Sequence, residues 1–150
     1  MAQLENRLEQ VLGTTYVFAA CVQQYHWNVM GENFHAYHEF YQNTYDELES
    51  AIDDIAETIR GRGVLPRGTL AYFLENSDVS EDTSVVTDPR NQMEKLENDN
   101  NVIVGLLRRV AQTARDAGAD DVKDFLIDRL RAHRHLGWQI SAHLGRQQTT

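Results

Sequence analysis

Apolar residues recur at three-or-four spacing through most of the chain, the period of helices that bury one face. Leu4, Leu8, Val11, Thr15, Phe18, Val22, Tyr25 and Val29 form one such row and predict a first helix from about residue 3 to 30. Gly31 suits the left-handed position that ends it, and Asn33 suits the cap of the next helix. Tyr37, Tyr41, Tyr45, Leu48, Ile52, Ile55 and Ile59 carry the period through a second helix that stops near Gly61 and Gly63. Asp88 and Pro89, a capping residue and a first-turn proline, open a third helix with Met93, Leu96, Ile103, Leu107 and Val110, closed by Gly118. The fourth begins at Asp120 and Asp121, whose charges suit the positive end of the helix dipole. It buries Leu126, Leu130, Leu136, Ile140 and Leu144 and ends at Gly145, after a last turn holding His143.

The three longest of these helices extend about 40 Å each. Only a few residues join the first to the second and the third to the fourth, so each pair is an antiparallel hairpin. Residues 62–87 are long enough to return along the whole bundle, which makes the second and third helices parallel. Residues 69–74 supply a short helix on the way. The predicted fold is all-α, a ferritin-like four-helix bundle with one long crossover carrying a short helix. At 150 residues, positions 1–150 read as one domain, with a frayed end from Gln147 to Thr150.

Fourteen basic residues against 23 acidic ones leave a formal charge of -9, a field that repels nucleic acid phosphates and attracts cations. No apolar run approaches the roughly 20 residues of a membrane span. The opening MAQLENRLEQ does not resemble an export signal, so a cytoplasmic location is expected. The single Cys21 has no partner for an internal disulfide, which fits a reducing compartment or plain core packing.

Ferritin-like di-iron proteins set glutamates on two helices and a Glu-x-x-His motif on each of the other two, all pointing inward. Here the one such match, Glu32 to His35, falls at the start of the second helix. The fourth helix has no glutamate, and the core stripe of the third offers Asn100 but no acid, so no in-bundle centre is expected. The second helix offers another arrangement. At about 100° per residue, His38, Gln42, Glu49, Asp53 and Glu57 share a sector beside the apolar stripe, where a neighbouring subunit can cover them. Imidazole with two carboxylates suits ferrous iron, and Asp53 and Glu57 stand one turn apart. The alternative is a solvated acidic face with an incidental histidine. His26, beside Trp27, reads alone as a core histidine bonded to a carbonyl.

Taken together, His26-Trp27-Asn28-Val29, Gly31, Phe34, His38-Glu39, Asp53 and Ile55-Ala56-Glu57 resemble the signature of the Dps family, the DNA-protecting miniferritins of starved cells. Residues 132–138 and 140–144 resemble that family's last helix. The resemblance implies a dodecameric shell with ferroxidase centres at its two-fold interfaces. In it, His26 comes from one subunit, and His38, Asp53 and Glu57 come from the partner. It also implies oxidation of Fe(II) by hydrogen peroxide or oxygen, storage of ferric mineral and protection from oxidative damage. Trp27 then serves as an electron or radical site, or as interface packing.

One departure concerns Gln42, which stands where the family has an aspartate. A neutral amide is the weaker ligand for a hard cation, which puts the second iron position in doubt and opens the site to zinc. His133 and His35 are candidate extra ligands, with structural hydrogen bonding as the alternative, and Glu49 is a candidate interface ion pair. Asp116, Asp120, Asp121 and Asp124 match the region that lines the family's acidic three-fold pores, or are ordinary acids of a helix start. The family's DNA binding relies on basic tails. This chain has two lysines, Lys95 and Lys123, and a tail with Arg146 alone, so weak or absent duplex binding is expected. Two functions stand: a ferroxidase store, and a structural, metal-sequestering cage whose oxidation Gln42 has impaired.

Overall fold

The computed structural model describes residues 2–148. Five helices run in order: α1 (Ala2–Asn28), α2 (Phe34–Gly61), α3 (Leu70–Glu75), α4 (Pro89–Asp116) and α5 (Asp120–His143). All five contribute to one hydrophobic core, in which Leu8, Phe18, Tyr41, Ile55, Leu96 and Leu126 are fully buried. No helix among the described residues is long and apolar enough to cross a membrane.

Side-chain bonds between helices fix their directions. Arg62, just past α2, donates to Glu5 near the start of α1 at 2.8 Å, so those two helices are antiparallel. The Tyr41 hydroxyl, two turns into α2, donates to Gln92 one turn into α4 at 2.9 Å, so α2 and α4 are parallel. Ser141 donates to Glu97 at 3.0 Å and Asn100 to the His133 carbonyl at 2.9 Å, an antiparallel register for α4 and α5. The long connection therefore does return along the bundle, as its length predicts.

Its first half carries α3, capped by the Thr69 hydroxyl, which accepts from the Tyr72 amide at 3.2 Å. Phe73 of α3 stacks on Tyr16 of α1 with ring centroids 4.4 Å apart. Gly13 permits that approach, since a Cβ there would stand 2.9 Å from the Phe73 carbonyl oxygen. The second half is pinned to the end of α1. Tyr25 donates to Asp82 at 2.6 Å, and the Gln24 side chain to the Ser84 carbonyl at 2.9 Å. Asp88 caps α4 as predicted, accepting from the Asn91 amide at 2.9 Å with Pro89 behind it.

Three details at the helix and chain ends differ from the sequence reading. Helix α1 ends two residues early because the Met30 amide leaves the helical ladder for the Thr87 carbonyl, 2.9 Å away. Asn33 precedes α2 in the left-handed region, φ 61°, and its side chain makes no capping bond. At the other end, Gln148 is tied down, donating to the Arg134 carbonyl at 3.0 Å. Thr149 and Thr150, also expected to fray, lie outside the described residues.

Candidate metal centre

The α1–α2 joint brings His26 and His38 together. Their rings stack with centroids 3.9 Å apart and planes 20° apart. The bonding is reciprocal: Nδ1 of His26 lies 2.9 Å from the His38 carbonyl oxygen, and Nδ1 of His38 lies 2.8 Å from the His26 carbonyl oxygen. A carbonyl oxygen only accepts, so each Nδ1 carries the proton and donates it. Each neutral ring then keeps its Nε2 lone pair free, the tautomer that ligates metal, and a carbonyl anchor of this kind also fixes ring orientation. Phe34 stacks on the outer side of His38 at 4.9 Å, leaving both histidines half-buried.

Asp53 and Glu57 lie elsewhere on the same chain. Fifteen residues of continuous helix separate His38 from Asp53, about 22 Å along the axis. This corrects the expected division of the ligand set. His38 cannot share an ion with Asp53 or Glu57 of its own chain; its ring lies against His26 instead. Among the described residues, no three His, Cys, Asp or Glu side chains of one chain converge on a point. Asp53 and Glu49 instead line an open groove of about 530 Å³ between α1 and α2, with Tyr16, Gln23 and Tyr45. Both acids and Glu57 are exposed.

Gln42, one turn beyond His38, is half-buried, and its amide nitrogen donates to Asp46 at 2.7 Å. Sequence reasoning passed over Asp46, although it stands one turn from Gln42 in the same helical sector. His35 is turned to solvent, 3.8 Å from Glu39 one turn on, and does not join the histidine pair. Trp27 is 66% exposed, and Met30 and Phe34, at the same α1–α2 joint, are exposed as well.

His133 is not available at that surface. It is buried inside the bundle, where Nδ1 donates to Asn100 Oδ1 at 2.8 Å and Nε2 faces the Arg129 guanidinium at 3.3 Å. The expectation of an extra ligand there is corrected for a simple reason: both ring nitrogens are already engaged. Arg129 in turn grips both carboxylate oxygens of the exposed Glu47, so a chain of polar contacts runs from the surface to the buried His133 and joins α2, α5 and α4. Burial, and then the Arg129 charge, push the His133 pKa down to about 3.

Asp116, Asp120, Asp121 and Asp124 are all exposed at one end of the bundle. Lys123 lies 3.2 Å from Asp124 and 3.5 Å from Asp120, which offsets part of their charge.

A family model of the ferritin-like domain matches residues 5–149, nearly the whole chain. The fold and this match define a ferritin-like protein. The DNA protection during starvation protein of Listeria innocua is 32% identical over 138 residues, covering 87% of this chain and 84% of its own. The crystal structure of Dps from Staphylococcus aureus superposes with a TM-score of 0.92 at 27% identity, covering 96% of each chain. That of a Vibrio cholerae O1 DPS protein, described as a member of a broad superfamily of ferritin-like diiron-carboxylate proteins, gives 0.91 at 26%, covering 95% and 89%. The chain belongs to the Dps family of miniferritins.

Proposed function

We propose that the protein is a cytoplasmic ferroxidase miniferritin. Twelve copies close into a shell, bind ferrous iron at centres shared by two copies, oxidise it with hydrogen peroxide or oxygen, and store the ferric product inside. The observation that carries this reading is the reciprocal Nδ1–carbonyl bonding of His26 and His38, which leaves two Nε2 donors at one surface point. Neutral nitrogens alone make a poor site for a hard ferric product, and carboxylates are what such a half-site lacks. Asp53 and Glu57 of a second copy supply them when two α2 helices pair antiparallel about a two-fold axis. Each interface then holds two identical centres. The exposed Trp27, Met30 and Phe34 are apolar surface that such a partner covers.

The chemistry follows from the donor set. Each ferrous ion gives up one electron while peroxide takes two electrons and two protons to become two waters, so a pair of ions matches the oxidant. The anionic oxygens of Asp53 and Glu57 favour the higher charge of the ferric state, which pulls the oxidation forward. Trp27, beside His26 in sequence, is placed to lose an electron to any radical that escapes. The Asp116, Asp120, Asp121 and Asp124 end draws cations inward at the three-fold axes. Zinc fits the same nitrogen-rich half-site and competes for it.

The test is anaerobic titration of the metal-free protein with ferrous iron, followed by peroxide. Two irons per centre and a fast rise in ferric absorbance are expected. One tightly held ion with slow oxidation would favour the sequestering cage. With a formal charge of -9 per chain, the shell is also expected to leave linear duplex DNA unretarded on a gel at moderate salt. A stable complex there would contradict it.

A further inference from the structure

We infer that Gln42 and Asp46 act as a pair that replaces one carboxylate of the centre, with Asp46 as the positioning residue. The inference rests on the proposed centre and names the part of it that the glutamine puts in doubt. A carboxylate accepts and never donates when ionised, so the side-chain contact of 2.7 Å fixes which end of the Gln42 amide faces Asp46. It is the nitrogen. The carbonyl oxygen is therefore the end left free, on the strip that also carries His38 one turn earlier. A glutamine without this partner presents nitrogen or oxygen with similar ease, and the nitrogen end repels a cation.

Asp46 adds charge as well as orientation. Its negative charge behind the amide draws electron density toward the Gln42 oxygen, as carboxylates behind metal-bound histidines do. Asp46 lies halfway between His38 and Asp53 in sequence, so pairing that sets His38 against the partner's Asp53 places Asp46 beside the two-fold axis. There the partner covers it. Water no longer competes for the Gln42–Asp46 bond, which strengthens an interaction that is weak on an open surface.

The experiment is calorimetric titration of the metal-free assembled protein with Zn²⁺, a redox-inert probe, so that oxidation plays no part in the readout. Wild type is expected to bind two ions per centre. Asp46→Ala is expected to weaken the second ion by about 10- to 100-fold and leave the first unchanged. In the Asp46→Ala background, Gln42→Asp should restore the second ion, because a carboxylate needs no help with orientation. In a Gln42→Ala background, Asp46→Ala should have no further effect. If the second ion is lost with His38→Ala yet binds equally well without Asp46, this inference fails alone. If no bound ion responds to His38→Ala, the underlying centre fails, and the inference with it.

Discussion

Alanine at position 38 is expected to abolish fast ferrous oxidation and to weaken zinc binding by more than about 100-fold, since even outer partners of metal ligands are worth 10- to 100-fold. The change is a clean one. The carbonyl that holds His26 Nδ1 belongs to the His38 main chain and survives the substitution. His38 is half-buried at a helix joint, outside the main core, so helix content and assembly should remain as in the wild type. Stopped-flow ferric absorbance and zinc calorimetry on the same preparation read the two effects. Oxidation at the wild-type rate in the variant would remove His38 from the chemistry.

The second large effect lies in the bundle interior and concerns stability. His133→Ala is expected to cost about 3–4 kcal/mol, from the cavity it leaves and from the unpaired Asn100 and Arg129 groups around it. The pH dependence has a definite sign. The folded-state pKa of His133 is pushed down to about 3, below the ordinary value of 6.5. Above pH 6.5 the group is neutral in both folded and unfolded chains and has no pH-dependent effect. As the pH falls below that, the unfolded chain takes up a proton that the folded chain refuses, so stability drops until the pH nears the folded value. At pH 5 the loss is about 2 kcal/mol relative to pH 7.5. Urea unfolding of wild type and variant at both pH values tests this. The wild type should lose the larger share of its stability in acid, whereas equal losses in the two proteins would show that His133 does not govern it.

Much of the fold was legible because its causes are local and periodic. The apolar rows predicted the four long helices, and Asp88 with Pro89 announced the start of α4 to the residue. The two hairpins and the crossover followed from helix length and connection length. What escaped was set by tertiary contact: the Thr87 carbonyl that draws the Met30 amide out of α1, and the left-handed Asn33 at the joint.

The site was legible by face but not by height. A helical period places His38, Asp53 and Glu57 in one sector, and says nothing of the 22 Å or so of axial rise between them. That rise moved His38 from the acids to His26. The reciprocal carbonyl bonds could not be foreseen either, because they depend on how tightly the α1–α2 joint folds back. Asp46 was within reach of the sequence, four residues after Gln42 on the same face. For His133, the signal was the polar Asn100 on the core stripe of α4, which marks a buried partner better than it marks a ligand.

The division of the centre between two copies can be tested by co-expressing two inactive chains, one carrying His38→Ala and the other carrying both Asp53→Ala and Glu57→Ala. With histidines from one copy and acids from the other, mixed pairs regain one intact centre out of two. Random pairing then restores about one quarter of all centres. Ferrous oxidation in the mixed shells should rise to about that fraction of the wild-type rate, far above either variant alone. Mixed shells no more active than their inactive parents would mean that His38 shares a chain with the acids of its centre, and would contradict the arrangement proposed for this interface.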